Sequence, residues 1–455
     1  MTIRMRDLLS LCALLLACIA VAADDERAEN PPQVIVTQER ANATYTVGET
    51  VTYTIAVRAK GGAAVDGTMK VHITLTQDGG TSLAQPSVLE ISDKPATIEH
   101  TIEGPGFVRL TAIGRSWEGK RCYVKTFSVA ACEPEKLEPV VTMPADFDAF
   151  WEAGRKRLAA IPPDIKQERI DDQCTEDYEV FKISFANIND TRIYGYLLVP
   201  TSGKASYPAL VSIAPAGKGK PREDFVVRQN QVSRNEAICL YMGVYDHDLG
   251  ETKEFYRAYT GKDGDVRSAT GVAEDYFFYR AILGIDRAVT WLAEREDVDK
   301  TRVVYTGSSQ GGGMGLVITG LNSHITAANV NIPALCDHLG YQVGRQPGWP
   351  GVLGGRGRAA MAPEKLAAIE AMLPYFDAVN FSRKIQVPIL LSMGYLDTTC
   401  PPSGIYAAYN SIGAQKQIIV DPNMDHGASP STRDATAVWI REKLGLAAQP
   451  ATDGE

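Results

Sequence analysis

The stretch that decides the fold is Gly307-Ser308-Ser309-Gln310-Gly311, which has the G-x-S-x-G pattern of a nucleophile elbow. The apolar, β-branched run 302–306 before it predicts a buried strand, and 312–318 after it predicts the start of a helix. The turn between them is tight, so small residues are needed two positions before and after the serine. The elbow would expose the Ser309 hydroxyl above the sheet and direct the N–H of Gln310 at a developing oxyanion. A glycine-rich turn without a catalytic role is the alternative interpretation.

A serine hydroxyl needs a histidine to accept its proton and a carboxylate to orient that histidine. In α/β-hydrolases these residues follow the serine in the order acid, then histidine. Three histidines lie downstream of Ser309. His426 follows the last predicted strand, in a loop at the carboxyl edge of the sheet, and is the predicted base. His338, in a loop after a strand, is the alternative, whereas His324 precedes a strand and should lie at the opposite edge.

Asp397 is the predicted acid because it follows the apolar run 389–393 in a loop that leads into Pro401 and a helix. Its alternative role is to cap that helix. Asp425 adjoins His426, and side chains of sequence neighbours seldom meet in triad geometry. Asp421 lies closer to strand than to loop.

The second oxyanion donor should come from the loop after the third strand of the hydrolase pattern. This loop is 214–219, and Pro215 has no N–H to offer. The donor is therefore Ala216 or Gly217, with an ordinary glycine loop as the alternative.

A catalytic domain is predicted at 140–447, because from about residue 176 short apolar strands alternate with helices, a pattern typical of a doubly wound, mostly parallel sheet. Amphipathic helices are predicted at 147–160 and at 275–296. The predicted strands are 180–183, 193–199, 209–213, 237–241, the strand before Ser309, 327–331, 389–393 and 417–420.

Residues 31–130 predict an all-β domain, an immunoglobulin-like sandwich, because short alternating strands are separated by Gly, Pro, Asp and Asn turns. A linker rich in Glu and Pro follows at 133–144. The domain has no cluster of catalytic residue types, so we expect it to be dispensable for chemistry on small soluble esters.

The first 23 residues predict a signal peptide, with arginines ahead of an apolar segment and small residues at the cleavage site. The protein is thus expected to be exported, to the periplasm or the cell exterior. Two alternatives are a membrane anchor and a lipoprotein attached through Cys18. The apolar segment is too short to span a bilayer, and no later segment predicts an integral membrane span.

Composition excludes some function classes. A net charge of −9 over 455 residues disfavours nucleic-acid binding, which needs a basic face. Export permits disulfides, but six cysteines after residue 23 allow fifteen pairings, and buried free thiols are an equal alternative. There is no CxxC or Cys/His spacing of a metal site, so neither a metal nor a cofactor is predicted.

Residues 140–447 resemble carbohydrate esterase family 7, the acetyl xylan esterase/cephalosporin-C deacetylase family, within the α/β-hydrolase superfamily. The matching segments are the G-x-S-Q-G-G elbow at 307–312, D-x-x-C-P-P-S at 397–403, A-A-Y-N at 407–410 and the run 144–151. The resemblance implies Ser309 as nucleophile, Asp397 as acid and His426 as base, with hydrolysis of acetyl esters on carbohydrate. It also implies that a homo-oligomer is possible, because the family assembles as hexamers.

Three loops depart from the family pattern. Residues 243–248 stand where an R-G-Q motif is expected, 214–218 replace the H-G-Y-N-G oxyanion loop, and Gly427 replaces a glutamate after the histidine.

The sequence therefore predicts an exported serine esterase acting on acetylated poly- or oligosaccharides, with Gln310 and Ala216 as oxyanion donors. The alternatives are a serine carboxylesterase or peptidase of other specificity, and a non-catalytic carbohydrate-binding surface protein.

Overall fold

The computed structural model describes residues 27–217, 230–259 and 265–447. The predicted signal peptide and Cys18 lie outside the described residues, as do positions 218 and 219 of the predicted oxyanion loop. The chain divides into two compact units.

The first unit contains two β-sheets and runs up to Thr76, then through Ser82–Glu103 and Val108–Ala130. One sheet has the strand order β1-β3-β6 and the other β2-β8-β7-β4-β5. Alternate side chains are buried along β3 and β4, as expected for strands with one face on a core. The strands are β1 Gln33–Gln38, β2 Thr44–Tyr45, β3 Thr50–Arg58, β4 Met69–Gln77, β5 Ser87–Ile91, β6 Ala96–Thr101, β7 Gly106–Trp117 and β8 Lys120–Cys132.

The second unit is built on a mixed, nine-stranded sheet with the order β17-β16-β15-β14-β12-β13-β11-β10-β9. The strands are β9 Lys166–Arg169, β10 Tyr178–Ala186, β11 Arg192–Pro200, β12 Tyr207–Ile213, β13 Ile238–Met242, β14 Val298–Ser308, β15 Ala327–Asn331, β16 Ile389–Gly394 and β17 Lys416–Asp421.

Six neighbouring strands of this sheet, β13, β12, β14, β15, β16 and β17, run parallel. Every residue of β12, β13 and β16 is buried, which explains their continuous apolar sequences. The antiparallel strands β11, β10 and β9 extend the sheet at one end. The predicted mostly parallel sheet is thus present, and the antiparallel strands extend it into a large mixed sheet.

The helices connect these strands, and the predicted helices at 147–160 and 275–296 are present with slightly shorter bounds. The helices are α1 Phe147–Ala159, α2 Lys253–Ala258, α3 Phe277–Glu294, α4 Gln310–Leu321, α5 Gly355–Ala359, α6 Pro363–Met372, α7 Ala378–Ser382, α8 Pro402–Ser411 and α9 Pro430–Lys443. Each helix in the described ranges is too short or too polar to span a lipid bilayer.

Two short stretches of the N-terminal region, Gln77–Thr81 and Gly104–Phe107, belong to the second unit together with Ala131 and the rest of the chain. Asp78 is fully buried there and accepts a hydrogen bond from the N–H of Ser403, in the first turn of α8, at 3.0 Å. The Phe107 ring packs edge-on against Tyr395 with ring centroids 5.3 Å apart. These stretches thus support the loop and helix that follow β16.

Candidate active site

The turn between β14 and α4 has the geometry of a nucleophile elbow. Ser309 lies between them with φ 57° and ψ −120°, a strained backbone conformation for a residue with a side chain. A Cβ at Gly307 would lie 2.5 Å from the carbonyl oxygen of Gly311, and a Cβ at Gly311 would lie 2.3 Å from that of Ile213. Only glycine fits at these two positions, which is why the G-x-S-x-G pattern identified the turn.

Backbone hydrogen bonds hold the strained serine in place. The Ser309 N–H donates to the carbonyl of Asn331 at 3.0 Å, and the Ser309 carbonyl accepts from the N–H groups of Gly313 and Ala334 at 2.9 and 3.0 Å. The elbow is therefore fixed both to its own helix and to the loop after the neighbouring strand β15.

The three residues predicted as a catalytic set lie together at the carboxyl edge of the parallel strands. Asp397 follows β16 and His426 follows β17. The His426 Nε2 lies 3.0 Å from the Ser309 Oγ, and the His426 Nδ1 lies 2.7 Å from the Asp397 Oδ2. The three side chains thus form a continuous hydrogen-bonded chain.

The three hydrogen-bonded side chains differ in how much of each is exposed to solvent. Asp397 is fully buried, Ser309 is 9% exposed and the His426 side chain is 31% exposed. The Asp397 Oδ1 accepts the N–H groups of Thr399 and Cys400, each at 2.8 Å. These bonds fix the orientation of the carboxyl group toward the histidine ring.

The other predicted candidates lie elsewhere. Asp425 is exposed. His338 is buried, and its Nε2 has no hydrogen-bond partner among the described residues. Burial lowers the pKa of His338 to about 4, although neighbouring Asp337 acts in the opposite direction. His324 lies in the turn between α4 and β15, at the opposite edge of the sheet.

The predicted oxyanion residues lie at the start of α4 and in the loop after β12. Gln310 begins α4, so its N–H has no acceptor within the helix and is free to meet a developing negative charge. Its buried side chain donates from Nε2 to the carbonyl of Ala214 at 3.2 Å. This bond ties the start of α4 to the loop after β12, in which partly buried Ala216 lies two residues farther on.

Cys400 is a further neighbour of Ser309, and in the sequence it stands out only as part of the D-x-x-C-P-P-S motif. It is buried, and its thiol contacts the Ser309 hydroxyl. Desolvation, with Asp397 as a second cause, raises the pKa of the Cys400 thiol well above its usual value. The thiol therefore stays protonated at neutral pH and is a poor nucleophile.

Asp397, Cys400 and His426 could in principle hold a metal ion, because one donor atom of each lies within 4.8 Å of the others. Both carboxylate oxygens of Asp397, however, already accept hydrogen bonds, and the thiol is protonated. The donor set therefore fits the hydrogen-bonded arrangement better than a metal centre.

Comparisons with known proteins agree with this fold. The sequence model of the family described as acetyl xylan esterase (AXE1) matches residues 126–443. Acetyl esterase Axe7A of Xylanibacter ruminicola is 29% identical over 349 residues, which cover 76% of each chain.

Solved structures with a similar fold include the acetyl xylan esterases of Paenibacillus sp. R4 and Thermoanaerobacterium sp. JW/SL YS485. Each is 21% identical and aligns with 68% of this chain and 98% of its own, with TM-scores of 0.58 and 0.57. The resemblance inferred from the elbow and the D-x-x-C-P-P-S motif is confirmed. The chain belongs to the acetyl xylan esterase (AXE1) family and is a carboxylic ester hydrolase.

Proposed function

We propose that this chain is an exported serine esterase that removes acetyl groups from xylan or related oligosaccharides. Ser309 is the nucleophile, His426 the general base and Asp397 the acid that orients it. The observation that carries the proposal is the pair of short contacts from Ser309 Oγ to His426 Nε2, 3.0 Å, and from His426 Nδ1 to Asp397 Oδ2, 2.7 Å. Family membership supports the acetyl ester as the substrate.

Acylation begins when the Ser309 Oγ attacks the acetyl carbonyl carbon while His426 Nε2 takes the hydroxyl proton. The N–H groups of Gln310 and Ala216 stabilise the oxyanion of the tetrahedral intermediate. The intermediate collapses when the bond to the sugar oxygen breaks. The sugar oxygen receives the proton from His426, which leaves an acetyl group on Ser309.

Deacylation repeats these steps with water. His426 takes a proton from water, whose oxygen attacks the acetyl carbon, and a second oxyanion forms at the same donors. The bond to Ser309 breaks, and the serine recovers its proton from His426. Acetate is released and the enzyme returns to its starting state.

Asp397 acts through the histidine ring. A buried carboxylate at Nδ1 holds the tautomer in which Nε2 can accept the serine proton, and it stabilises the imidazolium that forms. The charge is kept in place by the two backbone donors at Oδ1.

The test is release of acetate from acetylated xylan, together with labelling by a fluorophosphonate probe. Wild-type protein should be labelled and should release acetate. Ser309→Ala should abolish labelling and lower turnover about 10³-fold or more, with folding intact because only a hydroxyl is lost. Near-normal turnover of this variant would remove Ser309 from the mechanism.

The same assay separates the other candidate functions. Faster hydrolysis of longer p-nitrophenyl esters or of peptides would indicate a carboxylesterase or peptidase. Binding to saccharide without acetate release or labelling would indicate a non-catalytic binding protein.

We further propose that residues 31–130 form an immunoglobulin-like sandwich ahead of a catalytic domain at 140–447. In support, the Tyr53 hydroxyl, on β3 of the first sheet, donates to the carbonyl of Val108, on β7 of the second, at 2.9 Å. Buried side chains alternate along β3, and the first five residues of β7 are all buried.

Export rests on the N-terminal signal-peptide pattern. N-terminal sequencing of the mature protein should find a start close to Asp24. A mature chain that begins at a lipid-modified Cys18 would favour the lipoprotein alternative.

A further inference from the structure

A cavity of about 700 Å³ lies in the second unit, beside the loop that carries Asp397. Its walls come from the segment 341–358, from Gly79–Thr81 and from Thr399, with Arg267 at one side. The volume lies within the range of cavities that bind small organic molecules. The segment 341–358 was not singled out from the sequence.

Hydrogen bonds connect the walls of this cavity to the catalytic residues. The Thr399 N–H donates to Asp397 Oδ1 at 2.8 Å, and the Thr399 carbonyl accepts from the Trp349 N–H at 2.9 Å. The Gln346 side chain donates to the carbonyl of Thr398 at 2.8 Å. A ligand here would therefore lie beside Thr399, whose N–H is bonded to the proposed catalytic acid.

The opposite wall is fixed in a similar way. The Thr81 N–H donates to the carbonyl of Gly344 at 2.8 Å. Gly79–Thr81 is thereby bound to the segment after β15, and both belong to the same compact unit.

The lining is cationic. It includes Arg267, Arg345 and Arg358, and no Asp or Glu is among its described residues. Arg345 is buried and paired with Asp337 at 2.8 Å, so its charge is compensated.

The other two arginines keep their charge available. Arg267 is exposed, and the Arg358 guanidinium lies over the Tyr341 ring, 3.8 Å from its centroid. Neither forms an ion pair with a residue that the structure describes. The ring holds one face of the Arg358 guanidinium and leaves its N–H edge for a ligand.

We propose that this cavity binds a uronic-acid branch of the acetylated saccharide, with Arg267 and Arg358 contacting its carboxylate while a neighbouring acetyl group lies at Ser309. The proposal rests on the esterase function proposed above and names its substrate more narrowly. An arginine fork matches the two oxygens of a carboxylate, and the partly exposed Trp349 ring offers a flat surface for a pyranose. The xylan main chain itself is neutral, so the positive charge of the two arginines would complement an acidic branch rather than the main chain.

The test compares three acetylated xylo-oligosaccharides of equal length. One is unbranched, one carries a glucuronic acid branch, and one carries the same branch after chemical reduction of its carboxyl group to an alcohol. The measured quantity is kcat/KM for acetate release. The reduced branch has the same size without the charge, so the ratio of acidic to reduced substrate isolates the carboxylate.

The wild-type enzyme should prefer the acidic over the reduced branch about tenfold, the usual effect of a charge-assisted hydrogen bond. Arg267→Gln and Arg358→Gln should each lower this ratio, and the double variant should bring it close to one. Arg358→Lys should retain part of it, because the charge remains while the fork is lost. Arg157→Gln is the matched control, since Arg157 is exposed on α1 and lies outside the cavity. It should leave the ratio unchanged.

A wild-type ratio at or below one would overturn the proposal, as would a double variant that keeps the wild-type ratio. Stronger preference for an acetylated, sulfated oligosaccharide would overturn the assignment of the anion as a carboxylate. Failure of the esterase proposal is distinguishable, because then none of the three saccharides would release acetate.

Discussion

Asp397 performs two tasks with its two oxygens. Oδ1 accepts two backbone N–H groups, and Oδ2 contacts the His426 ring at 2.7 Å. Asp425 is closer to His426 in sequence but is exposed and makes no such contact with a described residue. The hydrogen bond to the His426 ring, rather than proximity in sequence, therefore supports Asp397 as the proposed acid.

Asp397→Asn should keep the fold but lower kcat by several orders of magnitude, because an amide at this position favours the wrong histidine tautomer. Asp425→Asn is the control and should remain close to wild type. Both variants are measured as kcat on p-nitrophenyl acetate. If Asp425→Asn is the more damaging of the two, the acid has been assigned to the wrong residue.

His338 links burial to pH dependence. Its pKa is about 4 in the folded protein, below the unfolded value of about 6.5, because burial disfavours the charged ring. The neutral His338 ring therefore makes its full contribution to the unfolding free energy above pH 6.5, and this contribution is lost as the pH falls toward 4. Between pH 7 and pH 5 the loss is about 2 kcal/mol of unfolding free energy.

His338→Gln should remove that part of the pH dependence, as measured by urea unfolding at pH 7 and pH 5. Buried Asp337 and Asp377, whose pKa values burial raises to about 6, contribute a trend of the opposite sign. The informative quantity is thus the difference between wild type and variant. His72→Gln, at an exposed histidine, is the control. Equal pH slopes in wild type and His338→Gln would contradict the prediction.

Helix α8 is the element that joins the acid loop to its supports. It begins at Pro402, its N-cap residue Pro401 offers no side-chain hydrogen bond, and the N–H of Ser403 is bound by Asp78 instead. A carboxylate from more than three hundred residues away thus serves as the helix cap and complements the helix dipole.

Asp78→Ala should lower the unfolding free energy by about 1–2 kcal/mol, the usual cost of losing a cap. Asp190→Ala is the matched control, because Asp190 is exposed and, like Asp78 (φ 46°), has a positive φ, 51°. The unfolding free energies of the two variants are measured with urea. Both contain the cost of an alanine at positive φ, so their difference gives the effect of losing the cap. Similar losses in both would show that the bond to Ser403 contributes little.

In the nine-stranded sheet, the sequence predicted those strands that are buried and therefore consist of apolar residues. The central strands β12, β13 and β16 are wholly buried and were all predicted. The edge strand β9, Lys-Gln-Glu-Arg, is fully exposed and has no apolar residue, so no apolar pattern could reveal it.

Chain order and the position of loops relative to strands led from the sequence to Ser309, Asp397 and His426, and the structure brings these three side chains into contact. The contact of Cys400 with Ser309 and the cap from Asp78 were not predictable in this way. They depend on how distant segments meet in three dimensions, for which a single sequence carries no periodic signal.

At the scale of the whole molecule, the compact units do not follow chain order. Gln77–Thr81 and Gly104–Phe107 lie within the N-terminal region of the sequence but belong to the unit that contains Ser309. Through them the unit gains the cap on α8, the packing of Phe107 against Tyr395 and one wall of the arginine-lined cavity.

A truncated chain that starts at Glu133 should therefore distinguish the residues needed for ester hydrolysis from those that only stabilise the second unit. All three proposed catalytic residues remain, so the folded fragment should hydrolyse p-nitrophenyl acetate. It should also melt at a lower temperature than the full chain, because Asp78 and Phe107 are absent, and lose much of its preference for the acidic branch, because Gly79–Thr81 is absent. Melting temperature, oligomeric state and kcat/KM on the small ester and on the acidic and reduced saccharides test these expectations together.

A fragment that is folded and monodisperse yet inactive on p-nitrophenyl acetate would mean that residues before Glu133 supply part of the catalytic site itself. A fragment as stable as the full chain would show that the cap and the Phe107 packing contribute little to stability.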